Sequence, residues 1–141
     1  MQLMSSPLLL DTNVLMYAID TRSSFHQQSR HFIDTYQGEM FTSSKNLSEY
    51  ISAGTRGDQP IFTVEEALQD IEDFNRFLTV LYPNKDSFSL FRNLIGQYLV
   101  RGKRVHDVEI ASIALANGIT QIVTFNTSDF KSIAEITVVT P

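Results

Sequence analysis

Pro7-Leu8-Leu9-Leu10-Asp11-Thr12-Asn13-Val14-Leu15-Met16-Tyr17-Ala18-Ile19 decides how this chain is read. Three leucines end abruptly in a carboxylate. Apolar residues then continue at Val14, Leu15, Ala18 and Ile19, which is helical spacing. The stretch predicts a buried strand that stops at Asp11, a turn, and a helix over 12–19. In an open α/β sheet the edge beyond the carboxyl ends of the strands is where ligands bind, and Asp11 stands on that edge. Taken alone, an Asp before a helix reads as an N-cap. The other acids of the chain give it a second reading.

The chain has 141 residues, which predicts one domain over 1–141, large enough to fold without staples. It has no cysteine, so disulfides, a thiolate-bound zinc and a thiol nucleophile are excluded and a cytoplasmic location is expected. The first ten residues lack a basic region, so no signal peptide is expected, and no apolar run reaches the ~20 residues of a membrane span. The net charge is −5, whereas a protein that simply coats nucleic acid is basic. An acidic chain still acts on nucleic acid if its carboxylates hold metal ions that supply the missing positive charge.

Outward from the opening stretch, strands and helices alternate. Ser23 or Ser24 is expected to cap a second helix running to about Gln37, with His26 and His31 as surface histidines on different faces. A short strand over 39–42 precedes a third helix over 45–53, capped by Ser43 or Ser44, with Glu49 beside its apolar face. The loop over 54–60, with Gly54, Gly57 and Pro60, is the most mobile candidate. Thr63 and Glu66 have capping-box spacing and open a fourth helix to about Phe77. Tyr50, Ile51, Phe74 and Phe77 give the third and fourth helices wide apolar faces, more than one small sheet covers, so a homodimer is expected. A third strand over 78–82 stops at Pro83. A fifth helix over 86–100 turns Phe88, Phe91, Leu94, Ile95 and Tyr98 inward as core. Arg101-Gly102-Lys103-Arg104 reads as a basic loop, and a sixth helix begins at Asp107. Strands over 119–125 and 137–139 close the chain. Such alternation predicts a mainly parallel sheet with helices on both faces.

The acids form a set. Asp107, Ala111 and Ala114 share one helix face, and the small alanines let that helix approach the sheet, which places Asp107 deep. A buried carboxylate is costly unless paired or metal-bound. The strand Gln121-Ile122-Val123-Thr124-Phe125 runs straight into Asn126-Thr127-Ser128-Asp129, so Asp11, Asn126 and Asp129 are expected on one sheet edge with Glu49 and Asp107 nearby. Thr124 and Thr127 are assigned hydrogen bonds to the neighbouring turn. Hard oxygen donors without cysteine or a histidine pair favour Mg²⁺ or Mn²⁺ over zinc. Such ions activate water and neutralise phosphate. Arg101, Lys103 and Arg104, just before His106 and Asp107, are candidate phosphate contacts, and His106 is expected to pack beside Asp107.

The residues Leu8 to Ala18, Leu47-Ser48-Glu49-Tyr50, Val105-His106-Asp107 through Ala114, and Val123 to Phe130 resemble the PIN-domain ribonucleases, and most of all the VapC-type toxins of toxin–antitoxin pairs. Order, spacing and length fit over the whole chain, although residues 54–104 carry no diagnostic motif. The resemblance implies a three-layer α/β/α fold with a small, mainly parallel central sheet. It implies Mg²⁺- or Mn²⁺-dependent hydrolysis of RNA phosphodiesters, a homodimer, and an antitoxin that covers the site. Asp11, Glu49 and Asp107 match the family's first three acidic positions. Many members carry an acid where this chain has Asn126, so Asp129 is taken as the fourth carboxylate and Asn126 as a water- or substrate-positioning group. Thr12 and Asn13 are taken as substrate-binding.

Other classes fit less well. A response-regulator receiver needs a further acid pair after the first strand and a late lysine, and neither is evident. A haloacid-dehalogenase-like phosphatase needs an Asp where Asn13 stands. A non-toxin RNA-processing PIN nuclease and a catalytically weakened RNA- or protein-binding PIN module stay open as alternatives.

Overall fold

The computed structural model describes residues 5–141; part of the stretch bearing on the signal peptide, residues 1–4, lies outside the described residues. Its strands are β1 (Leu8–Leu10), β2 (Met40–Ser43), β3 (Thr79–Leu81), β4 (Gln121–Val123) and β5 (Thr137–Val139). They pair in the order β3-β2-β1-β4-β5, all parallel. The helices are α1 (Thr12–Ile19), α2 (His26–Thr35), α3 (Ser44–Gly54), α4 (Val64–Phe74), α5 (Lys85–Tyr98) and α6 (Arg104–Ala116). No helix among the described residues is long and apolar enough to cross a membrane.

Side chains alternate across a strand, so β1 feeds two cores. Leu8 and Leu10 join Val14, Leu15, Leu47, Tyr50 and Phe74 on the face covered by α1 to α4. Leu9 joins Leu94, Val108, Ile110, Ala111 and Ile113 on the face covered by α5 and α6. The result is the expected three-layer α/β/α fold. From β1 the chain builds to one side through β2 and β3, then crosses to β4 and β5 on the other. This reversal opens a crevice between the carboxyl ends of β1 and β4, where ligands bind in open sheets. There the Asp11 amide donates to the Val123 carbonyl at 2.9 Å.

Several elements differ from expectation. Helix α2 has no side-chain cap and ends at Thr35. Helix α4 keeps both halves of its Thr63–Glu66 capping box but stops at Phe74. Helix α5 ends where Leu99 turns left-handed (φ 50°), and Phe88 on it faces solvent, 58% exposed, instead of the core. Helix α6 starts at Arg104, one turn before Asp107, so Arg104 is helical and not loop. Tyr50 and Phe74 are buried within this chain, Tyr50 stacked on Phe62 and edge-on to Phe74. Gly54 is required there, since a Cβ on it would lie 1.9 Å from the Phe62 ring.

Candidate active site

Asp11 is the N-cap of α1, and its Oδ1 accepts from the Thr12 amide at 2.9 Å. It is also much more than a cap. The Asn46 side-chain amide donates to the same oxygen at 3.1 Å, and the Thr124 hydroxyl donates to Oδ2 at 2.8 Å. The carboxylate is only 8% exposed, and among the described residues no cation pairs with it. Burial pushes its pKa up; the donors from Thr124, Thr12 and Asn46 pull it down, and Asp129 pushes it up again.

The partners of Asp11 are themselves held. Asn46 sits at the third position of α3, where its Oδ1 accepts from the Ser43 hydroxyl at 2.6 Å and from the Ser43 amide at 3.3 Å. Its amide also donates to the Thr12 hydroxyl at 3.1 Å. Asn13 donates to the Thr124 hydroxyl oxygen at 3.1 Å and accepts from the Phe125 amide at 3.2 Å. Thr12 and Asn13, expected as substrate-binding residues, thus line the cleft while their polar atoms organise Asp11. Thr124 accepts from the Asn126 amide at 3.0 Å, which is the expected bond to the neighbouring turn. Its bond to Asp11 was not expected.

Asp11, Glu49, Asp107, Asn126 and Asp129 line one cleft of about 360 Å³ at the crevice. They come from the end of β1, from α3, from the first turn of α6 and from the 3₁₀ turn Thr127–Asp129 with Asn126 just before it. Asp107 is half-buried and its pKa is pushed up to about 7, by burial first and then by Asp129, Asp11 and Glu49. Glu49 stands on the rim; the surrounding protein and Asp11 raise its pKa, and Lys45 and His106 lower it. Asp11, Glu49 and Asp107 are each pushed up in part by the charge of Asp129.

An adjoining cavity of about 460 Å³ shares Glu49, Asp107 and Asp129 and is walled by Lys45, Lys103, Arg104 and His106. Of the three basic candidates the structure brings Lys103 and Arg104 to the site, while Arg101 is exposed and lines neither cavity. Arg104 donates to the Ser132 hydroxyl at 3.0 Å, and Lys45 pairs with Glu109 at 3.6 Å. His106 is exposed and lines this cavity together with Asp107. Of the two expected surface histidines, His31 is exposed, while His26 is half-buried and donates from Nδ1 to the Tyr17 carbonyl at 2.8 Å.

Sequence reasoning missed Asn46 and Lys45. A signal existed for Asn46, since Ser43 and Asn46 have capping spacing. Nothing local marked that amide as a partner for Asp11.

As the side chains stand, no three acids among the described residues converge closely enough to grip an ion by themselves. Mg²⁺ keeps several of its waters and binds through one or two carboxylates, so the all-oxygen donor set of the cleft fits it or Mn²⁺. The adjacent basic wall suits the phosphate that such an ion binds.

A parallel sheet between two helical layers, with a carboxylate-lined cleft at its topological switch point, defines the class. The PIN domain family matches residues 8–136, and this chain belongs to that family. Among solved structures it is similar to VapBC2 from Rickettsia felis bound to a DNA fragment from its promoter (TM-score 0.69, 20% identity, covering 96% of this chain and 98% of that one). It is similar to DNA-bound VapBC from Salmonella typhimurium (TM-score 0.67, 25% identity, covering 95% and 97%). A further similar structure is VapC20 from Mycobacterium tuberculosis, a sarcin-ricin loop cleaving toxin (TM-score 0.72, 12% identity, covering 89% and 95%). No curated protein matches the sequence.

Proposed function

We propose that this protein is a divalent-metal-dependent endoribonuclease that hydrolyses RNA phosphodiester bonds, and that it is the toxin of a toxin–antitoxin pair. The observation that carries the first part is the cleft itself: four carboxylates from four elements line it beside a wall of cations. The similarity to VapBC structures supports the second part.

Asp11, Asp107, Asp129 and, from the rim, Glu49 would hold Mg²⁺ or Mn²⁺. The ion supplies charge neutralisation at the phosphate and a more acidic bound water. The chain's own residues supply the rest. Thr12, Asn46 and Thr124 fix Asp11 in one orientation and lower the cost of its charge. Glu49 orients the attacking water and takes its proton. Asn126, exposed on the cleft floor with its amide free of charge, positions water or substrate. Lys103 and Arg104 hold the phosphate, which offsets the net charge of −5 locally. A cytoplasmic location is part of this reading.

The homodimer is retained as part of this reading, on different residues. Tyr50 and Phe74 are internal, but Val64 and Leu68, one turn apart on α4, are 56% and 54% exposed. Their aliphatic face suits a second copy of the chain, with an antitoxin segment near α1, α3 and α4. Light scattering showing a monomer at high micromolar concentration rejects the dimer.

The deciding experiment is cleavage of total RNA with and without Mn²⁺, comparing wild type with Asp11→Asn. Metal-dependent cleavage lost in the variant is expected. Equal rates in both, at matched stability, reject the site. Complete inactivity of the wild type favours the binding-module alternative, whose support is Asn126 at an acidic position of the family. A non-toxin RNA-processing nuclease is separated by the absence of a small antitoxin reading frame beside the gene.

A further inference from the structure

Three aromatic rings meet on the rim of the acidic cleft. Phe25 and Phe125 have centroids 4.7 Å apart, and Tyr17 lies 5.3 Å from each. Tyr17 lines the same cleft as Asp11 and Asp107. Tyr17 and Phe125 are half-buried against the core beneath α1 to α4, whereas Phe25 belongs to neither core and is 41% exposed. Two rings are therefore anchored and the third lies open against Tyr17, the ring that lines the cleft.

The cluster is held in place from below. His26 donates to the Tyr17 carbonyl and ties the end of α1 to the start of α2. Asn13 accepts from the Phe125 amide and bonds Thr124, the residue that holds Asp11. The ring positions are thus coupled to the carboxylate through two side chains.

We propose that Phe25, Tyr17 and Phe125 form a stacking platform for an unpaired nucleobase next to the phosphodiester held in the cleft. This subsite rests on the ribonuclease reading. Every nucleobase offers a π face, and aromatic side chains beside a phosphate-binding groove are how single strands are held. The patch is wholly aromatic and continuous with the cleft through Tyr17, which favours a flat base over the aliphatic side chains of a protein segment. The aliphatic surface of this chain, Val64 and Leu68, lies on a different helix.

The test uses a single-stranded oligoribonucleotide carrying 2-aminopurine, titrated with wild type, Phe25→Ala, Phe25→Leu and Phe25→Trp, alongside Mn²⁺-dependent cleavage of total RNA. Phe25 is exposed, and a melting curve of each variant confirms folding. Wild type is expected to quench the fluorescent base. Phe25→Ala is expected to lose the quench and to bind about tenfold more weakly, the order set by base–aromatic stacking. Phe25→Leu fails to restore binding and Phe25→Trp restores it. Undiminished quenching and affinity in Phe25→Ala, or rescue by Leu, overturns the platform and leaves the rings to packing or to a protein partner. A wild type that quenches through Phe25 yet cleaves no RNA leaves the platform standing and removes the ribonuclease reading.

Discussion

The Thr124 hydroxyl donates to Asp11 Oδ2 at 2.8 Å, across 113 residues of sequence. It joins the ends of the two strands that flank the switch point, β1 and β4. The same hydroxyl oxygen accepts from Asn13 and from the Asn126 amide, so it is the centre of the network that aims Asp11. Thr124→Val keeps the shape and leaves a buried carboxylate short of a donor, at a cost of about 1–3 kcal/mol. Cleavage is expected to fall at least tenfold, with a lower melting temperature. Thr124→Ser restores both. Cleavage rates and thermal melts of the two variants check this; a fully active Val variant would show that the hydroxyl does not aim Asp11.

Asp107 gives the metal-free protein a pH dependence. Its carboxyl is pushed from an ordinary 3.8 to about 7 in the folded chain. Between those values the folded chain holds a proton that the unfolded chain has released, so stability falls as pH rises across that window and levels off above it. The melting temperature of the metal-free protein is expected to be lower at pH 8 than at pH 5. Asp107→Asn flattens this slope and raises the pH 8 value, since it removes a repelled charge. Mn²⁺ raises the wild-type value at pH 8 by binding the folded state. A metal-free melting temperature that climbs from pH 5 to pH 8 contradicts this account.

Asp129 and Asn126 share the cleft, and the charge of Asp129 raises the pKa of Asp11, Glu49 and Asp107. Under the proposed function, a group felt by all three is one of the ligands. Asp129→Asn is expected to raise the Mn²⁺ concentration for half-maximal cleavage, and Asn126→Asp to lower it or leave it unchanged. If Asp129→Asn costs only stability, the residue is a cap of its 3₁₀ turn and the site has three acids.

Lys103 and Arg104 wall the cavity beside the acids, and Arg101 does not. Replacing the first two with alanine is expected to weaken RNA binding and to reduce the salt dependence by roughly 0.7 log units per log unit of salt for each lost contact. Arg101→Ala leaves the slope unchanged. Binding isotherms over a range of salt separate these outcomes, and equal slopes in all variants remove the basic wall from the site.

The sequence alone determined what local pattern determines. The run from Leu8 to Ile19 specified strand, carboxylate and helix, because side-chain periodicity and an abrupt polar stop are written in consecutive residues. Alternating elements specified a layered α/β fold, and carboxylates at strand ends and a helix start named the acids of the cleft. Local pattern was weaker at element ends. Phe88 has helical spacing but lies outside, since spacing fixes a face and not what covers it. Helix α6 starts at Arg104 without a side-chain cap, so no residue announced its first turn. Tyr50 and Phe74 read as exposed apolar surface, but Tyr50 stacks on Phe62 and meets Phe74 edge-on, and both are buried.

Only the tertiary structure decided the partners of Asp11. Asn46 lies 35 residues away and Thr124 lies 113 away, and both reach it because parallel pairing sets the ends of β1, β2 and β4 side by side. The ring cluster has the same origin: Tyr17, Phe25 and Phe125 belong to three separate segments that meet only when α1 and α2 dock against the end of β4. A carboxylate at a strand end is a local fact, but the donors that orient it and the surfaces beside it are long-range contacts, which no single stretch of sequence encodes.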